Sequence, residues 1–258
     1  MSADKLATRS SPKSRARRPT GKRVSLESAK LEDVERWGWD DEKLLKVLVD
    51  LDHELIGELT DETAGNAKQW SSIFRNNPQS WRLIIDKPNN ILGYWEMHPL
   101  FAEYFEMAES GQLIDSQLTV RMIKLLDFPG VFDVYFSMLG IKKIYQDKYR
   151  NDGILKILVQ SIFEVLDELA RNKTFIRKIA AAAWTPQGEV LCKQFGLEKT
   201  IHGHVMHNNV KIYSGSISGP LNSYYARGFK NLRNRYRKIG LLDPPRKSGS
   251  AESKPFSF

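Results

Sequence analysis

Apolar residues recur at helical spacing between Asp40 and Leu59, where Leu44, Leu45, Leu48, Leu51, Leu55 and Ile56 form one stripe behind an acidic start. A shorter helix is expected from Asn66 to Phe74, ending before RNNPQS. The stretch WRLIIDKPNNILGYWEMHPL then gives two strand-like runs around DKPNN, a turn with Pro and Asn, so a hairpin closed by Pro99 is expected. Residues Leu100 to Leu126 read as helical, interrupted near SGQLIDS. Val131 to Ile141 is rich in β-branched and aromatic residues and reads as a central strand.

The clearest helix is GILKILVQSIFEVLDELAR, whose buried stripe comprises Ile154, Ile157, Leu158, Ser161, Ile162, Val165, Leu166 and Leu169. KIAAAAW is helical on propensity alone, while its shortness and the following TPQG leave a strand open. VMHNNVKIYSGSI reads as a closing hairpin turning at Asn208 and Asn209. Between Pro220 and Gly240 a last apolar stripe of Leu221, Tyr225, Phe229, Leu232, Tyr236 and Ile239 alternates with Arg227, Lys230, Arg233, Arg237 and Lys238. That pattern fits a helix docked on the body with solvated charges. It also fits a basic amphipathic arm for RNA, DNA or another anionic surface.

Charge changes this picture by its placement. The 258 residues carry a net +8, yet residues 1–30 alone hold +7 and residues 221–258 another +7, which leaves the middle at −6. The expected organisation is a disordered basic tail over 1–30, a folded domain over 31–219, a basic helix over 220–240 and a second disordered tail over 241–258. Affinity for a polyanion would reside in the tails. No apolar run approaches the roughly 20 residues of a membrane span. One cysteine excludes a disulfide framework, so a reducing, cytoplasmic setting is expected.

That cysteine, Cys192, lies in TPQGEVLCKQFGL, where Leu191 and Phe195 make an apolar pair and Gly196 is placed to end a helix in a left-handed cap. An unpaired cysteine there fits a small buried hydrophobe. HGHVMH would put His202 and His204 on one strand face and His207 on the other; no third ligand follows, and no metal site is expected. By itself, YRNDGIL is a strand-to-helix turn with Asp152 as its cap.

Two of these stretches, in order and at the right separation, resemble the GNAT superfamily of acyl-CoA N-acyltransferases over roughly residues 34–217. YRNDGIL is similar to the family's Q/R-x-x-G-x-G/A loop through Arg150, Gly153 and, imperfectly, Leu155. TPQGEVLCKQFGL follows N-x-x-A-x-x-L-Y-x-x-x-G-F without gaps, with Thr185 at the Asn position, Gly188 at the Ala, Leu197 at the Phe and Cys192 at the usual catalytic tyrosine. The resemblance implies an α/β fold with a mixed, mostly antiparallel twisted sheet flanked by helices. It makes KIAAAAW a strand, one of two that splay apart around the pantetheine arm, with Ala181 and Ala183 leaving room.

It further implies acetyl-CoA or another acyl-CoA as co-substrate and an amine acceptor. The cofactor site would comprise Arg150, Asn151, Asp152, Gly153, Ile154, Leu155 and Thr185, the loop offering backbone N–H groups and a helix dipole to the pyrophosphate. Cys192 is the candidate acid for the leaving thiolate, and Glu96 and Asp133, acids on strands, are the candidate bases. Leu155, Asp152 and Cys192 depart from the family pattern. They are what a GNAT-like body that has lost catalysis and serves as a binding module would show. The basic tails fit a third reading, acyl transfer to a nucleic-acid-bound amine such as charged transfer RNA.

Overall fold

The computed structural model describes residues 25–148, 153–218 and 225–240. Within them the strands are β1 (Glu27–Ala29), β2 (Trp81–Lys87), β3 (Asn90–Leu100), β4 (Gly130–Ile141), β5 (Thr174–Ala183), β6 (Glu198–Gly203) and β7 (Lys211–Ser216). The helices are α1 (Leu31–Arg36), α2 (Asp41–Leu55), α3 (Asp61–Ala64), α4 (Ala67–Asn76), α5 (Ala102–Glu109), α6 (Lys143–Lys148), α7 (Ile154–Arg171), α8 (Pro186–Gln194) and α9 (Phe229–Lys238).

The seven strands form one mixed sheet in the order β1-β2-β3-β4-β5-β7-β6. Every pair is antiparallel except β4 and β5, which are parallel and joined through α7. This is the α/β class expected, with β4 at the centre. The periodic stretches fold as their spacing demands: α2 buries Leu44, Leu45, Leu48 and Leu51, and the Asp40 carboxylate caps it by accepting from the Lys43 N–H at 2.8 Å. Asn66 caps α4 in the same way.

Two apolar layers sandwich the sheet. On one face α7 buries Ile154, Leu158, Ile162, Val165, Leu166 and Leu169 against Leu92, Trp95, Met97 and Val134. On the other, α2, α4 and α5 cover Leu83, Ile85, Tyr94 and Tyr135. The Trp95 indole N–H donates to Ser161 Oγ at 2.8 Å, tying α7 to β3.

Several expectations are corrected. β1 pairs with β2, so the tail assigned to residues 1–30 already belongs to the sheet at Glu27–Ala29. Pro99 does not close the hairpin; β3 continues through it to Leu100, opposite Asp133. The helix read to Leu126 stops at Glu109, because the following residues fold into 3-10 turns whose Ile123 bridges Leu100. In the closing hairpin, β6 is Glu198–Gly203 and Val205 to Asn209 lie in the connection. KIAAAAW is a strand: Lys178–Ala183 pair with β7, whose neighbouring chain overrides the helical preference of alanine. The last helix is described from Ala226, and its stripe docks Phe229, Leu232 and Tyr236 into the α7 layer. Arg233, expected on a solvated face, is buried there and donates to the Ile217 carbonyl. Leu221 lies outside the described residues, and Ile239 is exposed.

Candidate active site at the parting of two strands

The parallel ladder between β4 and β5 ends at the pair Phe136 and Ala181. Beyond it β4 continues for five residues, Ser137 to Ile141, while Ala182 and Ala183 of β5 keep only their pairing with β7 on the other edge. The two strands part there. On its other side β4 keeps β3, but Glu96 is opposite Met138 while His98 is opposite Tyr135, so three steps along β4 match two along β3. The extra residue is a bulge at Phe136–Ser137, which re-aims side chains and bends the strand. Bulge and parting fall at the same place.

Ser137 sits in that bulge, half-buried, and its side chain meets two buried residues of β3. Its hydroxyl donates to Glu96 Oε1 at 2.6 Å and lies 2.9 Å from His98 Nε2. Glu96 is only 4% exposed and His98 2%. The His98 ring stacks on Trp70 of α4, with centroids 5.5 Å apart, which fixes its plane. Alternation along β3 places these residues on the α2 and α4 side, because Trp95 and Met97 between them point to the α7 layer.

Further polar groups surround them. Tyr94 donates to Asp52 of α2 at 2.5 Å, and Tyr135 hydrogen-bonds Asp115. Burial, then the Glu96 charge, pushes the Asp52 carboxyl well above its ordinary range. Burial raises Asp115 to about 7, an effect that its bond to Tyr135 opposes and Glu96 reinforces. Both tyrosines are raised as well, first by burial and next by the carboxylate beside each. Three carboxylates therefore share one poorly solvated region.

The remaining expected site residues fall elsewhere. Asp133 is at the other end of β4, five residues from the partner of Glu96, or about 16 Å along a strand. Its carboxylate accepts from both Nε and Nη2 of Arg177, the bulged residue of β5, so it does not join Glu96. Cys192 lies on α8, 8% exposed in the α7 layer, and burial pushes its thiol up to about 12. Gly196 ends this helix with φ 79°, as a left-handed cap requires. Thr185 caps α8, its hydroxyl accepting from the Gly188 N–H at 3.0 Å.

Arg150, Asn151 and Asp152 lie outside the described residues. Gly153 is the N-cap of α7, with φ 85°, and a Cβ built on it would meet nothing within 4 Å. Ile154 is core and Leu155 packs partly buried against it, so a ligand at this end would meet the backbone N–H groups of the first turn. His204 and His207, expected on opposite faces, instead lie side by side with tilted rings beside Trp184, and His202 is exposed. Among the described residues no group of three or more His, Cys, Asp or Glu is placed to hold a metal ion.

Of the residues gathered here the sequence singled out Glu96 alone, and His98, Ser137, Tyr94, Asp52, Asp115 and Tyr135 are placed beside it by the fold. The available signal was YWEMH, where Tyr94, Glu96 and His98 share one strand face between two large apolar residues.

No protein-family model matches the chain, and no curated protein sequence matches it. Among solved structures, the chain is similar to Arabidopsis thaliana NAA60 in complex with acetyl-CoA, at 14% identity over 76% of this chain and 99% of that one, TM-score 0.43. It is also similar to the loading GNATL domain of CurA from Lyngbya majuscula, at 11% identity over 74% and 98%, TM-score 0.45. A GNAT-family acetyltransferase of Staphylococcus aureus is similar at 9% identity over 74% and 99%, TM-score 0.41.

Proposed function

We propose that the chain moves an acyl group, in the first instance acetyl, from acyl-CoA directly to a primary amine in a ternary complex. The observation that carries this reading is the parting of β4 and β5 at a bulge, beside the half-buried Ser137 and the buried Glu96 and His98. A strand with an unpaired edge offers N–H and C=O groups to an extended arm such as pantetheine. The same edge provides N–H groups to polarise a thioester carbonyl. At the start of α7, first-turn N–H groups and the positive dipole end favour a pyrophosphate, and Arg150, Asn151, Asp152 and Gly153 would form its loop. Holding donor and amine in attack geometry supplies about 7–11 kcal/mol of the barrier.

Within this reading Glu96 is the base and Asp133 is structural, since Arg177 already occupies its carboxylate. Cys192 is packing: a thiol at about 12 gives up its proton far less readily than an ordinary cysteine at about 8.5, so it is a poor acid for the leaving thiolate. A reducing, cytoplasmic setting fits the single free cysteine. A second reading, that the amine is borne by a nucleic acid, is favoured by the eight Lys and Arg among the first 24 residues.

The test is thermal unfolding with and without acetyl-CoA. At 100 times its dissociation constant the ligand adds about 2.7 kcal/mol, and the melting temperature rises by roughly 5–10 °C for a chain of this size. Gly153→Phe puts a ring at the mouth of α7 and removes that rise. No rise in the unaltered protein rejects the reading.

A further inference from the structure

We propose that Ser137 is a proton relay between the acceptor amine and Glu96, with His98 as the positioning residue that holds the serine hydroxyl in line. The inference rests on acyl transfer to an amine as the reaction.

Glu96 is too deeply buried to meet an ammonium group itself, at 4% exposure. Ser137 is half-buried in the bulge and is the first β4 residue past the last pair with β5, so it is the member of the group nearest the opening. Its bonds have a definite direction. The one hydroxyl proton goes to Glu96 Oε1, the nearer acceptor at 2.6 Å, so the oxygen is left to accept at 2.9 Å from His98. His98 must then carry its proton on Nε2. One lone pair of Ser137 Oγ remains for the substrate.

The step balances. An ammonium N–H bond breaks as an O–H bond forms at Ser137 Oγ, while the proton that Ser137 held passes to Glu96 Oε1. The serine ends as it began, Glu96 is neutral, and the amine has its lone pair. That pair attacks the thioester carbonyl; the C–N bond forms, the C–S bond breaks, and the thiolate leaves. The second nitrogen proton goes to the thiolate, and Glu96 returns its own to solvent. Asp52 from α2, Tyr94 and His98 on β3, Asp115 from the loop after α5, and Tyr135 on β4 face this region and set its field. None of them is a lysine or arginine, so none sets a fixed positive charge against an approaching cation.

Two measurements on the full chain decide the matter. In 15N-resolved NMR of the histidine rings, with the signals of His98 assigned by their loss in His98→Gln, the Nε2–H tautomer is expected; the Nδ1–H tautomer overturns the relay. CoA release from acetyl-CoA is then followed with ethylamine at high concentration, because a small amine asks only for the chemistry. Ser137→Ala is expected to lower kcat about 10²-fold, to leave the KM for acetyl-CoA within threefold and to flatten the acid side of the pH–rate profile. Ser137→Thr, which keeps the hydroxyl, is expected to stay within about tenfold of the unaltered protein. Turnover by Ser137→Ala within threefold overturns the relay and leaves acyl transfer standing. Absence of acetyl-CoA stabilisation removes the reaction itself. No CoA release by a protein that acetyl-CoA does stabilise overturns the relay too.

Discussion

At the scale of single residues, burial pushes both Asp115 and Cys192 toward their neutral forms, and each shift has a consequence that can be measured. Asp115 has a folded-state value of about 7 against an ordinary value near 3.8. The folded protein therefore binds this proton more tightly than the unfolded chain does. Its contribution is fully present below about pH 4 and is lost as pH rises through about 7. Asp52, shifted the same way by burial, adds to the same slope. Asp115→Asn keeps the shape and cannot ionise, so it is expected to flatten the fall in stability between those limits. Discounted for partial solvent contact, it should gain about 1–2 kcal/mol at pH 8 in urea unfolding. Cys192, with its thiol at about 12, is almost all protonated at pH 8. Its alkylation by iodoacetamide is expected to be at least about 10³-fold slower in the native protein than in urea. Cys192→Ala should cost about 1 kcal/mol and keep turnover within a few-fold, whereas Cys192→Tyr overpacks the layer at about 1–3 kcal/mol. A large loss of turnover in a folded Cys192→Ala would restore the cysteine as an acid.

Among the elements, α9 shows why a stripe of apolar residues does not reveal all that a helix does. Its Phe229, Leu232 and Tyr236 were legible as one face, and they do dock. What spacing could not convey is that Tyr236 also finishes a strand. β7 pairs with β5 only from Lys178 onward, so the Ile176 N–H lies past the end of that ladder. The Tyr236 hydroxyl accepts from it at 2.9 Å in a fully buried bond. Tyr236→Phe keeps the ring against Phe175 but leaves a buried donor with no acceptor. The expected cost is about 1–3 kcal/mol in equilibrium unfolding, well above that of an exposed Tyr→Phe change. The same limit applies to the candidate site. Helical and alternating patterns are local, so α2, α4, α7, β3 and β4 could be read from their own residues. The bulge at Ser137 is a mismatch between two strands about 40 residues apart in sequence. No periodicity along either strand announces it, and Ser137 and His98 stayed hidden with it.

Across the whole molecule, charge is distributed against the fold rather than along it. Residues 1–24 carry eight Lys and Arg with Asp4 alone opposing them, a net +7, and residues 241–258 add +1. Residues 25–240, which hold the sheet and every described helix, are therefore neutral overall. Within them the basic residues of α9 are less available than the sequence suggested: Arg233 is buried against the Ile217 carbonyl, and Arg235 pairs with Asp167. Exposed Arg227, Lys230 and Lys238 remain on that side. A polyanion should then be held mainly by the first 24 residues. Because each neutralised phosphate releases a counterion, affinity for RNA falls steeply with salt in proportion to the contacts made. Removing residues 1–24 leaves β1, α9 and both apolar layers in place, so the truncated chain is expected to fold and to keep its gain in stability from acetyl-CoA. It should elute from heparin at markedly lower salt than the full chain, and its RNA affinity should show a shallower dependence on salt. Neutralising Arg227, Lys230 and Lys238 together in the full chain should change both quantities less. The opposite ranking would move the polyanion surface onto α9, and equal retention by all three proteins would place it in the sheet domain, against its charge.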